Sequence, residues 1–96
     1  MRKIEQQMIT AIRYNRNWAN ANTMVNYNPD TGLSTVYLHG HKIATATDAA
    51  PYEPAIADVD TLQAWPTRTT MSRLRALGVD VCTRKGVVLL DGKEVA

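Results

Sequence analysis

The chain has 96 residues, 45% of them hydrophobic and 21% charged, with a formal net charge of +2, one cysteine and no phenylalanine. That size supports one domain spanning 1–96 with a modest core and excludes a second, and the composition excludes a chain too polar to fold. No apolar run reaches the length of a membrane span, the amphipathic start lacks the apolar centre of a signal peptide, and a lone Cys82 excludes an internal disulfide and a cysteine-based zinc cluster, so a reducing cytosol is the expected setting.

The charge is unevenly placed. Residues 1–45 carry Arg2, Lys3, Arg13, Arg16 and Lys42 against Glu5 and Asp30; residues 46–66 carry only Asp48, Glu53, Asp58 and Asp60. Residues 67–96 return to a basic balance, with Arg68, Arg73, Arg75, Arg84, Lys85 and Lys93 against Asp80, Asp91 and Glu94. Two basic parts flanking an acidic middle can steer an acidic partner toward one face, although mixed surface signs are also what solvation alone demands.

The first predicted element is a helix over Arg2–Asn15, with Ile4, Met8, Ala11 and Ile12 on one face. Asn15, Asn17, Asn20 and Asn22 follow, and asparagine side chains compete for backbone hydrogen bonds, so the helix is expected to fray before Ala21 with Trp18 folded back as a lid on the core. A three-stranded meander is predicted next, over Thr23–Asn28, Leu33–Leu38 and Lys42–Thr47, completing a first half of 1–47. Asn28-Pro29-Asp30-Thr31-Gly32 supplies its first turn and His39-Gly40 its second, and Val36 and Leu38 alternate into the core.

Residues 48–66 read as a crossover, because Pro51 and Pro54 interrupt any ladder. Within it, Ile56, Val59 and Leu62 at intervals of three suit a short helix, while Ala57, Val59 and Thr61 at intervals of two suit an edge strand; strand followed by loop is the reading adopted. Residues 67–96 then supply a second helix, Met71–Leu77, preceded by Thr69 and Thr70 and ended by Gly78. Strands are predicted over Val79–Thr83, Val87–Leu90 and Lys93–Val95, with tight turns at Arg84-Lys85-Gly86 and Asp91-Gly92. The expected fold class is α+β, two helices packed on antiparallel β-meanders. Thr35–Ala44 is echoed by Val87–Ala96, pairing Val36 with Val88, Leu38 with Leu90, Gly40 with Gly92 and Ala44 with Ala96. A pseudo-repeat of helix plus hairpin explains the echo, and so do two independent hairpins, since strands favour Val and Leu and these turns favour Gly.

Tyr37-Leu38-His39-Gly40-His41-Lys42-Ile43-Ala44 and Trp65-Pro66-Thr67-Arg68-Thr69-Thr70-Met71-Ser72-Arg73-Leu74-Arg75-Ala76-Leu77 together resemble small accessory proteins of tailed bacteriophages, a domain family of unknown function. The resemblance runs from the first helix to the second. It implies an accessory protein acting in an infected bacterium, on host machinery or a host defence, and it carries over no site. Where similar sequences often have Asn this chain has Arg75, so no role shared with the family is expected of that residue.

Few residues carry chemistry. His39 and His41 bracket Gly40, but no third ligand lies close and a tight turn splays its neighbours, so they read as surface histidines on a hairpin tip and no metal is expected. Cys82 reads as a packed thiol on a strand. No carboxylate pair has acid and base spacing and no Gly-rich phosphate loop is present, so neither catalysis nor a cofactor is expected. Arg68, Thr70, Arg73 and Arg75 at the start of the second helix form a candidate cradle for phosphate or carboxylate, with all three arginines expected in solvent. Helix followed by hairpin is also the arrangement of a winged-helix DNA reader, although the preceding helix that motif needs is weak here. Arg13 and Arg16, with Tyr14 and Trp18, form a second basic and aromatic cluster suited to stacked bases or, equally, to core filling.

The expected role is binding. By elimination, small size, strand edges open to augmentation and the phage resemblance, the first expectation is a protein of the host bacterial cytoplasm that engages and modulates a host protein or defence system. The alternative is a nucleic-acid binder using the arginine-bearing helix and its N-terminus, and a virion structural role is a third reading. No membrane partner is expected, and an exposed strand edge permits a homodimer.

Overall fold

In the computed structural model, which describes residues 1–95, helix α1 runs Lys3–Arg13 and buries Glu5, Met8, Ala11 and Ile12. It is shorter than predicted at both ends. Arg2 occupies the N-cap position, and Asn15 reverses the chain with a φ of 54°. The asparagine-rich stretch does end the helix, but it then forms a strand the sequence reading missed, β1 over Trp18–Asn20. Trp18 does rest half-buried against the core, carried there by this strand in register with Val25.

Strands β2 (Thr23–Asn28), β3 (Leu33–Leu38) and β4 (His41–Ala46) follow within a residue of the predicted bounds. They lie between β1 and a two-residue β5, Ile56–Ala57, in one antiparallel sheet of order β1-β2-β3-β4-β5. At the β2–β3 turn Asn28 Oδ1 accepts the Asp30 N–H at 2.9 Å and the Asn28 carbonyl accepts the Gly32 N–H at 2.9 Å, the local closure its composition predicts. His39 and Gly40, with φ of 52° and 80°, close β3 onto β4, and Asp91 and Gly92 repeat those angles at 53° and 79°.

The β3–β4 ladder pairs Val36 with Ala44 but Tyr37 with Lys42, so Ile43 is an extra residue on β4. This bulge lets the successive residues Ile43 and Ala44 both enter the core, which plain alternation forbids. The Ile43 carbonyl accepts the Asp58 N–H at 2.8 Å, while the Asp58 carboxylate accepts the Thr61 N–H at 3.0 Å. Asp58 thereby caps a further helix, α2, over Val59–Ala64. The strand-then-loop reading of 56–65 holds only for Ile56–Ala57. An N-cap satisfying an otherwise orphaned N–H decides for helix, and only Leu62 of the apolar triplet is buried, at 1% exposure against 76% for Ile56.

Helix α3 spans Arg68–Ala76, three residues earlier than predicted, because Thr67 is the cap: its hydroxyl accepts the Thr70 N–H at 3.1 Å. Gly78 ends the helix with a φ of 85°, at a site where a Cβ would lie 2.6 Å from the Pro51 carbonyl oxygen. Strands β6 (Val81–Arg84), β7 (Val87–Leu90) and β8 (Lys93–Glu94) form a second antiparallel sheet, separate from the first. Among the described residues the fold is thus α+β with two sheets and three helices, α1 packing on β2, α2 on β4 and α3 on β6. Met8, Ile12, Val25, Val36, Ile43, Leu62, Leu74 and Leu77 form the fully buried centre of a single apolar cluster. Of the sequence echo, the match of Ala44 with Ala96 involves a residue outside the described range.

Two backbone positions give opposite expectations. Gly78→Ala must move the Pro51 and Pro54 backbone as well as adopt a left-handed conformation, and should lower stability in urea unfolding by about 2–4 kcal/mol. Ala21 already has a φ of 52° in an exposed turn, so Ala21→Gly should raise stability by up to about 1 kcal/mol in the same assay.

Candidate functional site

Helix α3 turns Thr70, Met71, Arg73, Leu74 and Ala76 inward. Arg68 and Arg75 stay exposed, with Ser72 partly exposed between them, and spacings of four and three place these residues along one outer stripe. The expectation that Arg68, Arg73 and Arg75 all face solvent is therefore corrected at Arg73, which is 3% exposed. Its position on the helix explains this. Arg73 follows Thr70 by three residues and precedes Leu77 by four, on the face that meets the core.

Inside, Arg73 meets a carboxylate from the other end of the chain. Its Nη1 donates to Glu5 Oε2 at 2.9 Å, its Nε to Thr23 Oγ1 at 3.1 Å, and Ser72 Oγ donates to the same Glu5 oxygen at 2.6 Å. Glu5 follows the same logic as Arg73, lying three residues before Met8 and seven before Ile12 on the buried face of α1. Burial pushes the Glu5 carboxyl up, but hydrogen bonds from Ser72, Arg73 and the Arg2 backbone, with the Arg73 charge, outweigh it and hold the pKa below the usual carboxylate value. Among the described residues no buried side-chain polar atom lacks a partner.

With Arg73 engaged, the outer stripe forms one wall of a groove of ≈ 410 Å³, lined by Arg2, Arg68, Met71, Ser72, Arg75, Cys82 and Thr83. No carboxylate is among these described residues. Arg75 is steadied by donating its Nε to the Val81 carbonyl at 2.8 Å, so it leans toward the β6–β7 hairpin, whose tip carries exposed Arg84 and Lys85. The sequence reading missed Arg2 as a neighbour of this stripe because nothing local in the chain connects them. The helix preceding α3, α2, has six residues and buries only Leu62, the weak partner that the sequence reading held against a winged-helix arrangement, although α2, Trp65-Pro66-Thr67, α3 and the β6–β7 hairpin follow one another directly.

The other candidate residues lie elsewhere. Thr70 is buried, its hydroxyl 2.9 Å from that of Thr67, and it faces a small cleft of ≈ 220 Å³ instead of the groove. His39 and His41 line the same cleft, and the His41 ring stacks on Trp65 with centroids 5.1 Å apart. Arg13 lies over the Tyr52 ring at 6.0 Å and Arg16 over the Tyr14 ring at 5.6 Å, both tyrosines being exposed. Among the described residues no three His, Cys, Asp or Glu side chains group closely enough to hold a metal ion, and no helix is long and apolar enough to cross a membrane.

Compared with known proteins, the chain matches, over residues 1–95, the family described as Kyanoviridae Gp96 protein. No curated protein and no solved structure matches it.

The buried pair generates the stability prediction. Arg73→Ala leaves Glu5 buried and uncompensated and should cost about 3–5 kcal/mol in chemical unfolding, whereas an apolar double replacement, Glu5→Leu with Arg73→Met, should cost much less than the Arg73 change alone. Because the folded pKa of Glu5 is depressed, its contribution is fully present above the unfolded carboxylate pKa and is lost as pH falls through the lower folded value. Acid unfolding followed by circular dichroism should therefore show a shallower decline between those two values in Glu5→Gln than in the wild-type chain.

Proposed function

We propose, from the premise that this chain belongs to the Kyanoviridae Gp96 family of phage proteins, that it is a non-catalytic binding protein of the infected cell's cytoplasm that takes nucleic acid on the α3 face. The observation that carries the reading is the groove itself. Arg2, Arg68 and Arg75 line it, with no carboxylate among its described lining residues. Guanidinium forks are groups that hold phosphate oxygens, and such contacts position a duplex or strand without reading its sequence.

One observation favours a second occupant. Trp65 is 51% exposed at the rim of the small apolar cleft, and Ile56 is 76% exposed on β5, features that suit an apolar side chain of a host protein which the phage protein would engage and modulate.

Fluorescence anisotropy with a labelled 30-base-pair duplex and with a single strand of the same length, over a salt series, tests the first reading. The wild-type chain should bind with an affinity that falls steeply as salt rises, and Arg2→Glu with Arg68→Glu and Arg75→Glu should weaken binding at least about tenfold at an unchanged melting temperature. Absence of binding to either probe at low salt would overturn it. A tagged pulldown from host lysate then decides the second reading: one stoichiometric protein that survives nuclease and is lost on Trp65→Ala supports it, and capture indifferent to Trp65 defeats it.

A further inference from the structure

Helix α1 and strand β1 enclose a cleft of ≈ 520 Å³ that shares no lining residue with the α3 groove. Its size is that of a small-molecule site. Gln6 and Thr10, whose hydroxyl donates to the Gln6 carbonyl at 2.9 Å, line it beside two amides that hydrogen bonds orient. Asn17 Oδ1 accepts the Tyr27 backbone N–H at 2.7 Å, and Gln7 Oε1 accepts from Asn20 Nδ2 at 2.9 Å. Each of these two oxygens thus has a protein partner, which orients the amide and leaves its NH2 group available to donate into the cleft. Lys3 and Arg16 also line the cleft and can only donate, and no carboxylate is among the described residues that line it. The Arg16 guanidinium lies 5.6 Å from the Tyr14 ring centroid. Trp18, fixed in β1 opposite Val25 and packed against the core, gives the cleft an aromatic wall.

Donors, two cations and an aromatic plane are complementary to a planar, anionic, acceptor-rich ligand. We propose that the cleft between α1 and β1 binds a nucleotide, its base against Trp18, its ring acceptors at Gln7 and Asn17, and its phosphate at Lys3 and Arg16. Base stacking on an aromatic ring tolerates any base, so the site selects the ligand class and not one base. The phosphorylated nucleotide has two sources, a free mononucleotide or one unit of a single strand. The proposal stands independently of what the α3 face binds, because the two surfaces use different residues.

The test is a titration of the full ¹⁵N-labelled chain with adenosine monophosphate, with a short oligothymidylate and with inorganic phosphate. Saturable shifts at the Trp18 indole and at the backbone amides of Lys3 to Ala11 and Arg16 to Trp18 are expected. Lys3→Glu with Arg16→Glu should weaken binding at least about tenfold without changing the melting temperature, and Trp18→Leu, which keeps apolar packing, should weaken it by about the same factor. Arg68→Glu with Arg75→Glu should leave the shifts unchanged, so failure here is distinguishable from failure of the α3 reading. Tighter binding of the oligothymidylate assigns the ligand to a strand, and equal or weaker binding assigns it to a free nucleotide. Absence of saturation with either nucleotide probe, shifts confined to the neighbourhood of Arg68 and Arg75, or the same shifts with phosphate alone, meaning an adventitious ion only, would each overturn the proposal.

Discussion

The arrangement of this protein depends on the buried pair of Glu5 and Arg73. Each ion is almost wholly removed from water, at 4% and 3% side-chain exposure, and an unpaired charge in that position would cost several kcal/mol. The cost is offset only because the geometry is complete: Glu5 Oε2 receives Arg73 and Ser72, and the remaining Arg73 donors reach Thr23 and Asn22. The partners come from α1, the start of β2 and α3, elements far apart in the chain. Apolar contact between two helices tolerates a slide by a turn, since one aliphatic neighbour replaces another. This network does not, because a slide leaves a charged group unsatisfied. Its physical contribution is therefore registry more than net stability.

Registry decides what the surface displays. With Arg73 drawn to Glu5, α3 is fixed in rotation, and Arg68, Ser72 and Arg75 are turned outward toward Arg2 and the β6–β7 hairpin. A second fixed point does the same for α2. The bulge at Ile43 frees one carbonyl from the ladder, Asp58 answers it with its N–H, and its carboxylate starts α2 in the next turn. Placing α2 there fixes Trp65 against His41 and brings Thr67 to the start of α3.

Local chemistry explains what could be read from the sequence. The strands β2, β3 and β4 and all four glycine turns were legible, because alternation and positive φ are properties of a few adjacent residues. α2 was mistaken because its decisive signal is one cap, Asp58, in competition with an ambiguous apolar spacing. β1 was invisible because it has three residues, and its pairing with β2 is a tertiary choice. The site was only half legible. Arg68 and Arg75 could be found as an exposed pair, but the burial of Arg73 is signalled only when it is matched with Glu5, which lies 68 residues away. The signal did exist: both residues fall on the inward face of a helix, where a charge must have a partner of opposite sign.

The formal charge of +2 understates what such registry does to the electrostatics. Exposed charges act over a Debye length of about 8 Å at physiological salt, so neighbours matter and the sum does not. Pairing Glu5 internally removes the one carboxylate of α1 from the surface, and the acidic run of Asp48, Glu53, Asp58 and Asp60 belongs to the crossover and the cap of α2, outside both recesses. What remains in each recess is a set of cationic and neutral side chains without an acid among the described lining residues. A chain with nine acidic residues has thus kept them out of both recesses among the described lining residues, and the Glu5–Arg73 contact is the step that makes this possible for the helix forming a wall of one and bordering the other.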